Sequence, residues 1–381
     1  VGYIIPSTIL NQADSKSIRR ILLERGISFL VNLGQGIFGN KVLNTSTILI
    51  SFQPSLYSDP ENKLLFQDNF SSLPLLHRKD RLANVAPIEW ERWRQLVEDD
   101  PQLTFYTGDL KPVILLKRLR GIHPLLSEAV EGKIQRGVSP DVVASHVVSI
   151  DEAERNNLEI ELLKPSISGS QIKRYWDWSE DQYIIYTNKE TQIENYPNVY
   201  KYMLKYKDQN KCKEVIQKKH PWYSLHRARD PSIFLAPKFI GLTTTRSIEL
   251  IYDPAGTVFA TDAMYVFKPA SNQNPYTMMA ILHSKLFLFL YNTANVGESR
   301  VIPQVKAAKL ATLPYPKQNS NLTIAQKLNE QCNSMLSLHK QLPQARTPHE
   351  QTALERQIEA TDRQIDALVY ELYALTEEEI A

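Results

Sequence analysis

With 381 residues, 43% apolar and 23% charged, and a formal net charge of +2, the chain has the composition of an ordinary soluble globular protein with room for two or three domains. No run approaches the roughly 20 apolar residues of a membrane span, and the first residues lack a charged segment leading into an apolar core and a cleavage site, so no membrane partner and a cytoplasmic location are expected. Cys212 and Cys332 lie far apart, which argues against a disulfide framework and a cysteine-based metal site, and no metal is expected.

In chain order, residues 2–6 (GYIIP) are an apolar run stopped by proline. Asp14 or Ser15 can cap a helix whose Ile18, Ile21 and Leu22 recur at helical spacing until Gly26. Residues 28–33 and 47–52 are further strand-like runs, separated by the loop Gly34-Gln35-Gly36-Ile37-Phe38-Gly39-Asn40. Strand, helix, strand, loop, strand is the order at the end of an α/β sheet. Three strands cannot complete such a sheet, so the chain is expected to be the C-terminal portion of a longer polypeptide. Residues 54–110 are polar and proline-studded, an expected linker or insertion in which Trp90 and Trp93 serve as packing anchors. A helix is expected over 111–119, a basic turn at Lys133-Ile134-Gln135-Arg136, and a strand over 142–150.

The centre of the chain is the stretch 162–188, LLKPSISGSQIKRYWDWSEDQYIIYTN, where Gln171, Lys173, Arg174 and Tyr175 follow a Ser-Gly-Ser turn and a strand closes at Tyr183 to Tyr186. Cations beside aromatics at a turn suit a surface that neutralises phosphates and offers flat faces to bases. The surrounding charge agrees: residues 164–247 hold fifteen Lys and Arg against eight acids, with thirteen of the thirty-five aromatics, whereas residues 350–381 hold nine acids against two arginines. A helix is expected near Tyr196 and Tyr200, then His220 and His226 flanking Trp222, as surface or phosphate contacts. Strands are expected at 232–237 and near Leu250, Val258 and Tyr265, then a buried helix over 278–291. Two heptad series, Ile324 to Leu342 and Leu354 to Leu372, separated by Pro343 and Pro348, predict an antiparallel helical hairpin with an acidic outer face.

Motifs of catalysis are missing: there is no GxGxxG after a strand, no phosphate-binding loop, no HExxH and no Cys or His cluster at metal spacing, and no catalytic residue is expected in this chain. What recurs instead is a series of short basic or amide-bearing turns. They hold Lys133, Gln135 and Arg136; Gln171, Lys173, Arg174 and Tyr175; Arg227 and Arg229; Lys238, Thr244 and Arg246; and Arg300. Arginine reads guanine and glutamine reads adenine through bidentate pairs, and threonine serves base or phosphate, so these turns are the expected contacts to double-stranded DNA.

The order of these pieces resembles the TaqI-like adenine-specific DNA methyltransferases of restriction-modification and related phage-defence systems, over nearly the whole length. Residues 2–52, GYIIPSTIL…IRRILLERGISFLVNLGQGIF…TSTILISF, look like the end of the catalytic domain. LLKPSISGSQIKRYW, FLAPKFIGLTTTR with ATDAMYVF, and AILHSKLFLFLY followed by LATLPYP look like the target-recognition domain. The ending from Leu368 to Ile380 matches the terminal helix of many members.

The resemblance implies S-adenosylmethionine as the cofactor of the parent enzyme, bound at a glycine-bearing loop, and an Asn-Pro-Pro-aromatic motif that holds the flipped adenine. Neither is in these residues, so the chain alone is expected to be inactive and to bind no cofactor, and its partners are DNA and the N-terminal catalytic part of the same polypeptide. Phe38 stands where the family places an aromatic on the flipped base, and such stacking offsets part of the unstacking cost. The expected fold class is α+β: residues 1–53 the last strands of an α/β methyltransferase sheet, 54–110 a linker, 111–318 a mixed, strand-rich recognition domain, and 319–381 the hairpin. A non-catalytic DNA specificity subunit working with a separate modification subunit is the alternative, and an RNA-binding module a third.

Overall fold

Half-buried strands need partners on their edges, and those at the start of the chain find them in one five-stranded sheet. β1 (Gly2–Pro6), β2 (Phe29–Gly34), β3 (Thr47–Ser51), β4 (Leu64–Asn69) and β5 (Pro87–Glu89) lie in the order β1-β3-β2-β4-β5. Leu30 faces Ile50 across the antiparallel β2–β3 pair and Gln67 across the parallel β2–β4 pair. The computed structural model describes residues 2–38, 46–52, 64–295, 304–318 and 321–381. The chain divides into two units, Val1–Ile122 with Phe289–Gln304, and His123–Leu288 with Val305–Ala381.

In the first unit, α1 (Lys16–Arg25) buries Leu23, and α3 (Trp90–Glu98) buries Trp90, Trp93 and Val97, against Leu30, Ile48, Ile50 and Leu65 of the sheet. The tryptophans are packing anchors, as expected, and the indole of Trp93 donates to the carbonyl of Tyr106 at 2.8 Å. Buried Arg19 donates to the carbonyls of Ile9, Gln12 and Gln102, tying three loops to α1. The expected linker is corrected: within it lie β4, α2 (Leu75–Leu82), β5 and α3. Its alternation was masked because Gln67, a polar residue, occupies a buried strand position, where its amide bonds the backbone of Gly108. α4 (Lys111–Ile122) falls in this unit too, although the recognition domain was expected to begin with it.

The second unit holds two smaller sheets. β6 (Val130–Arg136), β10 (Lys238–Leu242), β11 (Leu250–Asp253) and β12 (Met264–Pro269) lie in the order β11-β10-β12-β6; β7 (Val147–Ser149), β8 (Leu163–Ser166) and β9 (Gln182–Ile185) lie as β7-β9-β8. Ile167, Ile172, Ile184, Phe234, Ile240, Phe259 and Val266 form a core shared by both. A single bridge, Ser166 to Phe259, joins the two sheets, and another, Val138 to Thr261, draws the chain after β6 onto the segment before β12. Gly137 permits that approach, since a Cβ there would stand 2.0 Å from the carbonyl oxygen of Ala260.

Several expected elements break where polar side chains capture the backbone. The run 142–150 yields only β7, because Val143–His146 form a helical turn in which the hydroxyl of Ser145 donates to the carbonyl of Val142, and the hydroxyl of Ser149 then accepts from the amide of Glu152 and starts a helix, Ile150–Arg155. In place of a strand over 232–237 there is a turn, Pro231–Ile233, capped by Asp230. Near Val258 there is a single bridge at Phe259 and no strand. The long helix is two, Pro275–His283 and Lys285–Ala294, with Ser284 extended between them and Asp366 accepting from the amide of Lys285. The hairpin is present as Leu322–Gln341 and Pro348–Leu372, the second helix started by a Thr347/Glu350 capping box. The architecture is the α+β one expected.

Candidate nucleic-acid interface

Leu242 of β10 faces Met264 of β12, and Arg136 of β6 faces Tyr265, so the C-terminal ends of β10 and β6 meet the N-terminal end of β12. Basic turns gather at this end of the sheet. Arg136 is exposed and Gln135 half-buried; Thr244 and Arg246 are exposed on the turn that leaves β10. The backbone of Arg227 exchanges two hydrogen bonds with Ser139, at 3.0 and 3.2 Å, and the guanidinium of Arg229 donates to the carbonyl of Gly137 at 3.2 Å. A methyl at Gly169 would stand 3.4 Å from Leu242, which brings the Gly169–Gln171 turn to the same place. Gln171 is half-buried and accepts from the amide of Ser179. Exposed Lys173 lies over the ring of Trp176, 4.3 Å from its centroid. Lys133 is exposed on the edge strand β6, at a register shift.

Among the described residues no carboxylate pairs with Arg136, Lys173, Arg227, Arg229 or Arg246, unlike the cations of this unit that hold the fold together. Asp262, near the start of β12, is occupied by the hydroxyl of Ser139 at 2.6 Å. Uncompensated cations on neighbouring turns make a local positive potential suited to a polyanion. Arg300 lies outside the described residues.

Three expected DNA contacts are corrected. Lys238 is fully buried; its ammonium pairs with Asp253 at 2.5 Å and donates to the carbonyl of Phe234 at 2.7 Å, and burial pulls its pKa below the ordinary lysine range. Arg174 grips Asp362 of the hairpin with two nitrogens, at 2.6 and 3.3 Å, and donates to the carbonyl of His283. Tyr175, with φ 53°, is buried edge-on against His283 and stacked near His339, and burial pushes its phenol well up. These residues dock the central stretch onto the helices. A sequence pattern of cation beside aromatic is the same for a reading surface and a buried clasp, and only burial separates them.

In the first unit, Phe38 is 55% exposed, so it does not pack beneath its loop. Gly34 and Gly36 hold φ values of 74° and 83°, a region favouring glycine, and Arg78 of α2 donates to the carbonyls of Leu33 and Gln35. This brace on the Phe38 loop was missed, since α2 lay in the expected linker. Two further features were missed in the second unit. Lys189, Lys207, Lys211, Lys218 and Lys219 surround Trp222 in a shallow depression. Asp141, Cys212, His220 and His226, irregularly spaced, bring their ligand atoms within 4.8 Å of one another.

Against known proteins, residues 164–315 match the TaqI-like C-terminal specificity domain. The type IIL restriction-modification enzyme MmeI, solved in complex with DNA, matches 100% of this chain and 48% of its own at a TM-score of 0.57 and 12% identity. The type IIG restriction endonuclease BpuSI matches 98% of this chain and 47% of its own, at a TM-score of 0.40 and 14% identity. The chain therefore spans about half the length of either enzyme. Among the described residues no helix is long and apolar enough to cross a membrane. The segment carrying β8 to β12 and the turns around them, residues 164–315, is thus similar to the TaqI-like C-terminal specificity domain.

Proposed function

We propose that this chain is the DNA target-recognition region, with the last strands of the catalytic domain, of a site-specific adenine-N6 DNA methyltransferase in a restriction-modification or phage-defence system. The observation that carries the reading is the gathering of cations without carboxylate partners, together with amides, at one end of the β10–β12–β6 sheet, whose β10 and β12 lie within the residues that match the TaqI-like specificity domain. Arg136, Lys173, Arg227, Arg229 and Arg246 neutralise phosphates or read guanine edges; Gln135, Gln171 and Thr244 read bases; Lys133 contacts backbone. Exposed Tyr3, Ile4, Ile18 and Ile21 leave apolar surface on the first unit for the catalytic part to cover. That part would hold S-adenosylmethionine, while Phe38 on its braced loop stacks on the extruded adenine.

The test is selection of duplexes from a randomised library by the intact chain at fixed, moderate salt. Enrichment of one site supports the reading; failure to retain duplex even at low salt overturns it. The methyltransferase assignment is tested by reading the gene upstream of Val1, where an in-frame Asn-Pro-Pro-Tyr or Asn-Pro-Pro-Phe is expected. Mapping N6-methyladenine in cells with and without the intact gene tests the adenine assignment.

A further inference from the structure

In the second unit, Asp141 and three side chains of the stretch 212–226, Cys212, His220 and His226, bring their ligand atoms within 4.8 Å of one another. His220 Nε2 lies 3.3 Å from Asp141 Oδ2, and His226 Nδ1 lies 3.2 Å from Asp141 Oδ1. The sulfur of Cys212 lies 3.8 Å from His220 Nε2 and 3.6 Å from His226 Nδ1. A tetrahedral zinc with Zn–N and Zn–O near 2.0–2.1 Å and Zn–S near 2.3 Å has N–O edges of about 3.3 Å and N–S edges of about 3.6 Å. The two N–S separations, and the N–O separation to whichever carboxylate oxygen takes the ion, lie close to those edges, and all four ligand atoms fall within 4.8 Å of one another.

The tautomer of His220 strengthens the case. Its Nδ1 lies 2.9 Å from the carbonyl of Pro221, which can only accept, so Nδ1 carries a hydrogen. In the neutral ring Nε2 is then a bare lone pair facing a carboxylate oxygen, an unfavourable contact unless a proton or a metal ion lies between them. A proton between His220 and Asp141 would satisfy that pair alone. With a hydrogen on His226 Nδ1 as well, donated to the other carboxylate oxygen, the thiol would face two ring nitrogens that both carry hydrogens, at 3.8 and 3.6 Å, and a metal ion accounts for all three contacts at once.

A surrounding layer holds the four in place. Asn210 accepts from the amide of Cys212 at 3.0 Å and directs its NH2 to Asp141 Oδ2 at 3.4 Å and to the carbonyl of Trp222 at 3.3 Å. Together with the His220–Pro221 bond this fixes ring and carboxylate orientation, as outer partners do in metal sites. The imidazole of His220 is 2% exposed and the Asp141 carboxylate 10%, which leaves little room for an open coordination position.

We propose that Asp141, Cys212, His220 and His226 bind one structural zinc ion. One thiolate, two imidazoles and one carboxylate suit zinc, and four protein ligands close its tetrahedron. The ion ties the Lys207–Trp222 region, with its lysines, to the segment after β6. It thereby anchors the strand of chain that presents Arg227 beside Ser139. This inference does not depend on the partner being DNA.

The test begins with metal analysis of the untagged chain purified from zinc-supplemented medium, where about one zinc per chain is expected. Cobalt(II) added to the demetallated chain should give visible bands of tetrahedral intensity and a near-ultraviolet thiolate-to-cobalt charge-transfer band. Cys212→Ser should abolish the thiolate band and reduce retained zinc at least tenfold, whereas Cys332→Ser, at the only other cysteine, should leave both unchanged. Chelation should lower the melting temperature of the wild-type chain but leave Cys212→Ser unaffected. Zinc below a tenth of an equivalent together with no thiolate band on cobalt addition would overturn the proposal, leaving an Asp–His pair beside a thiol. Stoichiometric zinc that survives Cys212→Ser would overturn the ligand assignment. Both measurements on the wild-type chain are independent of whether a variant folds.

Discussion

Replacing Lys238 by Met separates a DNA contact from a buried structural pair. Methionine keeps most of the stem volume, so the perturbation is the loss of the ammonium. Removing one partner of a buried ion pair costs about 3–5 kcal/mol. Asp253 would still accept from the amides of Gly256, Thr257 and Val258, at 2.9, 3.1 and 3.0 Å, which places Lys238→Met near the lower end, about 3 kcal/mol. Asp253→Ala strands those three donors as well as the lysine and should reach the upper end, about 5 kcal/mol. The two units need not unfold together, so the assay is native-state hydrogen exchange read on peptides from β10 to β12. For Lys238→Met, protection there should fall by about two orders of magnitude, the equivalent of about 3 kcal/mol. Under conditions where the variant stays folded, the salt dependence of DNA binding should not change. Unchanged protection with a salt slope lowered by about one would refute the reasoning and return Lys238 to the DNA surface.

Arg227→Ala and Arg246→Ala should each weaken duplex binding with little effect on stability and lower the salt slope by about 0.9 if they touch phosphate; salt titrations of affinity check this. Arg174→Ala breaks the clasp on Asp362 and the bond to His283, so it should cost about 2–3 kcal/mol with the salt slope unchanged, as urea titration and binding would show. The chain should also lose stability in acid. Buried His146 donates to the carbonyl of Tyr223, and burial lowers its pKa from 6.5 to about 4 despite nearby Asp141. The unfolded state therefore gains a proton first as pH falls, and stability is lost between pH 6.5 and about 4, by on the order of 3 kcal/mol in total. Burial shifts His283 in the same direction. Urea midpoints measured across that range should fall with pH, and His146→Gln should flatten the curve.

Much of the fold could be read from the sequence because its signals were local. Pro6 and Gly26 bound the first strand and helix, and Thr347 with Glu350 starts the long hairpin helix. Where reading failed, a polar residue held a buried position or a cap overrode a β-branched run. Gln67 hid a strand by bonding Gly108, and Ser145 bonds the carbonyl of Val142 in a helical turn that takes the first half of an expected strand. The hairpin seam was nearly right, except that Cys332 and Val369 are buried beside the expected heptad positions. The site was less legible, since its cations come from turns that meet only through strand register. Nothing local tells Arg174 from Arg246; the difference is Asp362, which lies on a helix far along the chain.

That difference has a physical consequence for how such a surface can change. Lys238 with Asp253, and Arg174 with Asp362, fix the sheet and its docking to the helices without using the exposed turns. The turns carry Arg136, Arg227, Thr244 and Arg246 in exposed positions, where a substitution usually alters stability by no more than about 0.5 kcal/mol. Affinity and base preference can therefore be altered at the turns while the scaffold keeps its own ion pairs. Arg229 is the exception, because its guanidinium also donates to the carbonyl of Gly137 at 3.2 Å, two residues before the Ser139 that pairs with the backbone of Arg227. Arg229→Ala removes that tie as well as a charge, so it should weaken binding through both residues, by more than the loss of one charge.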